Sequence, residues 1–301
     1  MNLLELITIT DTEFTASNVT EDDHDEWDAG DTYVKGERVI VTGTTHKVYE
    51  SIGATPAGND PTDEASAFWL EVGATNRWKA FDQSLADQTT RAGAITYSLT
   101  MSSMATGIAF FNLNAGRIRV RVSDTEDTEI YDQSLDLNDT TEVIDWFSFF
   151  FGGVEYDTEA LFVGVPLYTG FQVDITIDAD SGDAQVGQIV IGPVQNLGTT
   201  ISGTEIGFED FSIKDRDDFG RAVIVERPFI DETDFRFVYP TDDARRVKRV
   251  LTRNRARPGV YFPDADGVRF GATVFGLLQD FSAPLESGGT SVATVEVEGL
   301  T

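Results

Sequence analysis

Arg117-Ile-Arg-Val-Arg-Val122 and Phe171-Gln-Val-Asp-Ile-Thr-Ile-Asp178 decide the fold. In an extended chain the first puts Ile118, Val120 and Val122 on one face and three arginines on the other. The second does the same with Phe171, Val173, Ile175 and Ile177. A period of two marks strands with one buried face. Further strands are predicted at 95–101, 107–113, 129–134, 146–151, 160–165 and 186–191, with Gly, Asp and Asn between them. No helical pattern interrupts the series, so residues 73–203 read as an antiparallel β-sandwich of jelly-roll type.

Two stretches break the regularity. Alternation cannot hide every ring of Phe147-Ser-Phe-Phe-Phe-Gly-Gly153, which calls for cover on both sides, from another domain or from a neighbouring subunit. Asp178-Ala-Asp-Ser-Gly-Asp183 gathers hard oxygen ligands but lacks the calcium-hand pattern, and is predicted to be a hairpin turn between Ile177 and Val186.

Upstream, Gly73-Ala-Thr-Asn-Arg-Trp-Lys-Ala-Phe-Asp82 joins two segments of different texture. Trp78 and Phe81 are unusual in a connector. They predict a joint packed against both neighbours, or else the first strand of the following domain.

Residues 27–72 carry Trp27, Tyr33-Val-Lys-Gly36, Val39, Gly43, Tyr49, Pro61 and Trp69, with a hairpin predicted from 37–41 and 46–51. So short a unit must build its core from large aromatics. The spacing resembles small chitin-binding and cellulose-binding modules, whose aromatic faces stack on sugar rings. The resemblance covers about 45 residues and implies roles for Tyr33, Tyr49 and Trp69, with Trp27 as a fourth ring, either as a sugar platform or as the module's core. The family carries further aromatics just after the position of Tyr49, where this chain has Glu50-Ser-Ile52. Similar modules serve as adaptors on bacteriophage tail proteins. The central order of runs resembles sugar-binding jelly rolls of extracellular and virion proteins, a resemblance of architecture that brings no site residues.

The 301 residues carry 52 acidic and 22 basic side chains, a net charge of −30. That argues against nucleic-acid binding, which needs a basic field. No apolar run is long enough to span a bilayer. Without cysteine there is no disulfide, thiolate nucleophile or Cys-ligated metal. Met1-Asn-Leu-Leu-Glu-Leu6 has no basic n-region and does not read as a secretory signal. Glu21-Asp-Asp-His-Asp-Glu26 reads as a solvated acidic loop.

Beyond residue 204, strands are predicted at 208–213, 221–226, 234–239, 268–278 and 290–298. One helix is predicted among them, capped by Asp242, with Val247, Val250 and Leu251 on its apolar face and Pro258-Gly259 closing it. Arg245, Arg246, Lys248, Arg249, Arg253, Arg255 and Arg257 make it intensely basic. Its charges could meet an acidic face of another copy, this chain's own acids, or nucleic acid. The stretch 270–300 resembles C-terminal regions of tailed-phage tail-tip and baseplate proteins in texture and arrangement.

Nucleophile elbow, phosphate loop and zinc spacing are all missing, and His24 and His46 are the only histidines. The expectation is therefore a mainly β chain in three parts. Residues 1–72 hold an N-terminal segment and the aromatic β-hairpin module, 73–203 the sandwich, and 204–301 a C-terminal β-rich domain with one short basic helix. The resemblances imply a structural virion protein of a tailed phage, assembled in the host cytoplasm, without catalysis, cofactor or metal. It would contact other tail proteins and host-surface polysaccharide and form a homo-oligomeric ring of three or six copies. Its expected interface is Arg245, Arg246, Arg249 and Arg253 with Phe149 and Phe151. The alternative is a free-standing carbohydrate-binding protein without catalytic activity.

Overall fold

The computed structural model describes residues 1–63, 66–139, 146, 155–216, 219–263, 271–284 and 288–300. It is mainly β, its sheets are antiparallel, and it is consistent with a β-sandwich.

The central sheet follows the order Ala160–Leu167, Ala105–Asn114, Gln172–Gly192, Thr89–Thr100 and Phe14–Ser17. Arg117–Ser123 joins along Gln172–Gly192, and Glu129–Asp136 joins along Arg117–Ser123. The alternating stretches face each other: Val122 opposite Val173, Val120 opposite Ile175, and Ile118 opposite Ile177. On the other edge Leu99, Tyr97 and Ile95 oppose the same three residues. These side chains are fully buried in one core with Ile108, Phe110, Phe162 and Val165. The outward arginines pair with acids of the next strand, Arg117 with Asp136 at 3.0 Å, Arg119 with Asp132 and Arg121 with Glu129 at 3.0 Å.

The predicted hairpin turn at 178–183 is not formed. Gln172–Gly192 is one continuous strand, paired with Thr89–Thr100 from Gln172 to Val186. Asp178 opposes Ala94 and Asp183 opposes Ala92, so residues 179–182 bulge opposite residue 93 alone. Gly93 and Gly182 both have φ near +80° (79° and 81°), a conformation other L residues seldom adopt. The bulge carries the strand from pairing with Arg117–Ser123 to pairing with Ala105–Asn114. The acids that suggested a turn line a bend of the sheet.

A second sheet runs Val194–Asn196, Asn2–Glu5, Gly259–Phe262, Val274–Ser282, Thr290–Gly299, Phe229–Pro240 and Thr199–Thr200, with Glu205–Asp210 also on Phe229–Pro240. The sheets therefore divide the chain differently from the expected parts. Asn2–Glu5 lies in the C-terminal sheet and Phe14–Ser17 in the central one, and the sheet crosses residue 204. Burial explains the path of the first strand. Leu3 and Leu4 point to opposite faces, and each sits in a different core, Leu3 with Phe235 and Phe237, Leu4 with Phe111 and Phe275.

The helix is Ala244–Asn254, entered through the 3-10 turn Thr241–Asp243. Val247, Val250 and Leu251 bury against Phe235, Phe237 and Tyr239. Asp242 does not cap it: Asp243 holds the cap position, with no side-chain hydrogen bond. Entering through the turn leaves no extended cap residue whose side chain could accept one. A separate three-stranded sheet, Arg38–Val41, Lys47–Ser51 and Trp69–Ala74, forms the aromatic module.

Candidate functional site

In the module, the pattern that suggested a sugar platform builds a core. Val39 opposes Tyr49, and both turn inward with Trp69. Tyr49 is 5% exposed and Trp69 8%, so neither ring offers a face, and of the two roles open to them these rings take that of the core. Three short strands have nothing else to bury, which is why these rings turn inward. Trp69 donates its indole N–H to the Asn59 carbonyl at 3.0 Å and meets Tyr33 edge-on at 5.1 Å. Trp27 and Tyr33 pack on this core but stay half-buried. The Tyr33 hydroxyl accepts from the Asp28 backbone N–H at 2.8 Å.

The basic helix is partly neutralised within the chain. Arg246 donates to the Asn196 carbonyl at 2.8 Å and approaches Asp243 at 3.4 Å. Arg253 pairs with Glu5, whose carboxylate also accepts from Asn254 at 3.1 Å. Arg253 fastens the first strand to the helix and Arg246 the neighbouring strand Val194–Asn196, so both are poor candidates for an intermolecular contact. Arg245, Lys248 and Arg249 are exposed and, among the described residues, make no ion pair. Phe149 and Phe151 lie outside the described residues.

The feature that the period of two did not reveal is a two-stranded arm. Glu205–Asp210 pairs with the start of Phe229–Pro240, from Glu205 opposite Asp234 to Asp210 opposite Phe229. Ile213–Arg216 then pairs with Ala222–Val225. Ile206 and Phe208 share a face with Asp231 and Phe229, and Phe208 meets Phe229 edge-on at 5.9 Å. Further down Phe229–Pro240 the same face buries Phe235, Phe237 and Tyr239 under the helix. Along the arm it is open at Phe208, which is 67% exposed, and on the hairpin beyond it Ile224 is 69% exposed. Ile206, Phe211, Ile213, Val223, Val225 and Phe229 are exposed too. The sequence predicts strands at 208–213 and 221–226 here. Alternation cannot tell whether the covering layer belongs to the same chain.

Among the described residues, no group of three or more His, Asp or Glu could hold a metal ion, and no helix is long and apolar enough to cross a membrane.

No family model matches the chain, and no curated protein matches it. Similar solved structures include the F5/8 type C domain of a Bacteroides fragilis protein, 11% identical, covering 40% of this chain and 82% of that one with a TM-score of 0.28. A point mutant of chitosan-binding module 1, derived from a chitosanase/glucanase of Paenibacillus sp. IK-5, is 10% identical and covers 38% of this chain and 83% of that one, with a TM-score of 0.26.

Proposed function

We propose that the chain is a non-catalytic structural protein that works by assembling with other chains, as a ring-forming part of the tail tip or baseplate of a tailed bacteriophage. The observation that carries this reading is the arm formed by residues 205–216 and 222–229. Monomeric proteins seldom leave this many large apolar side chains exposed in one segment, and a two-stranded ribbon is marginal without cover. Burying one Phe or Ile side chain contributes about 1.5–3 kcal/mol, so a neighbour covering several would be held firmly. The occupant is a second copy, whose acidic surface would also meet Arg245, Lys248 and Arg249. These charges would orient the copies, while the apolar arm supplies the affinity.

A contact with surface polysaccharide is a second role, favoured by the half-exposed rings of Trp27 and Tyr33. Two partial rings support weak binding, which many copies in a ring would strengthen. Electron microscopy of the purified full chain tests the proposal. Closed rings of three- or six-fold symmetry with the arm at the contact are expected. Single particles with a bare arm at high protein concentration would contradict it.

A further inference from the structure

At the base of the arm, a cleft of about 480 Å³ opens between the central and C-terminal sheets. Phe111 and Phe275, stacked at 5.7 Å, form one wall, and Phe229 flanks it. Glu159 and Asp231 bring two carboxylates into this largely apolar setting. Burial, and then the charges of Asp231 and Asp157, push Glu159 up to about 7. Burial also raises Asp231. No cation of the chain pairs with either carboxylate among the described residues. Thr273 lines the same cleft at 3% exposure, and its hydroxyl has no hydrogen-bond partner. Two repelling acids beside an orphaned hydroxyl are an unfavourable grouping, and a cation with hydrogen-bond donors relieves both.

We propose that this cleft binds a small organic cation, a primary ammonium group on a compact body. Its volume lies in the range of ligand pockets. Phe111 and Phe275, almost fully buried, give an apolar wall for the compact body of the ligand. A divalent metal fits less well, because two carboxylates and an apolar wall supply too few oxygens. A neutral ligand would leave the two carboxylates in conflict. The site adjoins the assembly surface proposed above through Phe229 and Asp231, but binding there does not require assembly.

Titration of the full chain by NMR or calorimetry at about pH 8, above the Glu159 value of about 7, tests the site. Four probes are used: D-glucosamine, Nα-acetyl-lysine methylamide, and the neutral counterpart of each, in which the amine is acetylated. At least one ammonium probe is expected to bind while its neutral counterpart does not. Which one binds tells whether an amino sugar or a lysine-like group is the source. Glu159→Gln should weaken binding about tenfold or more, as when one partner of a desolvated charge pair is removed, and Asp231→Asn, at an exposed carboxylate, by less. Cooperative melting must be retained, and Thr273→Val serves as a milder variant that should also weaken binding. The proposal is overturned if no ammonium probe binds up to about 10 mM, a dissociation constant too weak for a built site. It is also overturned if acetylated probes bind equally, or if the cooperatively folded variants bind like the parent chain. Loss of self-association in Glu159→Gln would overturn it as well, since the occupant would then be a basic segment of another copy.

Discussion

The imidazole of His46 stacks on the indole of Trp78, with ring centroids 4.5 Å apart and planes at 25°. Trp78 also stacks on Phe14 at 4.8 Å and meets Phe81 at 6.2 Å, so one indole joins the aromatic module to the central sheet. His46 is fixed in turn by Glu21 and Asp11, each 2.9 Å from a ring nitrogen. Trp78→Ala is expected to destabilise the fold by about 3–5 kcal/mol, the usual cost of emptying a buried aromatic site. It should also let the module melt separately. Scanning calorimetry checks this, with two transitions expected in place of one.

The first strand lies hard against the end of the long central strand. A Cβ on Gly192 would collide with the carbonyl oxygen of Glu5, whereas one on Gly43 would meet open space. Gly192→Ala should therefore cost about 3 kcal/mol, at the upper end of overpacking effects, because backbone has to move. Gly43→Ala should stay within about 0.5 kcal/mol. Urea midpoints for the two variants decide it. Equal effects would mean that the first strand is not held against residue 192.

Glu159 makes stability depend on pH in a definite direction. Its folded pKa, about 7, lies above its ordinary value of 4.5, so the folded state holds the proton more tightly. Its contribution is fully present below the unfolded value and is lost as pH rises toward the folded one. Asp231 and Asp157 are the charges that face it. Urea denaturation from about pH 4.5 to about pH 8 should show this decline in the parent chain and a flatter profile in Glu159→Gln. Parallel profiles would contradict the burial of Glu159.

What the sequence disclosed, and what it hid, follows from the reach of its patterns. Ile118, Val120 and Val122 read correctly as one buried face because the period of two is local. Trp78 and Phe81 read correctly as a packed joint because large rings rarely stay exposed. Leu3 and Leu4 gave no sign of joining a strand near residue 260, because long-range pairing leaves no mark in four residues. Asp178–Asp183 looked like a turn because a bulge and a turn use the same residue types. The cleft escaped notice because Glu159, Asp231 and Thr273 come together only when the two sheets pack.

For glycan contact, the half-exposed rings carry the expectation and the buried ones do not. Trp27→Ala should weaken retention on insoluble chitin or cellulose about fivefold, in keeping with about 1 kcal/mol per stacked ring. Tyr49→Ala should instead unfold the module, since it empties a core of three strands. Pull-down on the insoluble polymer, with circular dichroism alongside, separates the two effects. Retention unchanged in Trp27→Ala removes the glycan role from this module.

Assembly through the arm is tested most directly by sedimentation velocity on the full chain, comparing the parent with Phe208→Ser/Ile224→Ser over a wide range of concentration. Both side chains are exposed, so the double variant should melt within about 0.5 kcal/mol of the parent. The parent is expected to form a closed oligomer of about three or six copies that loosens at high salt, as Arg245, Lys248 and Arg249 are screened. The variant is expected to remain monomeric. A parent chain that is monomeric at every concentration, or a variant that assembles as the parent does, would contradict the proposed role of the arm.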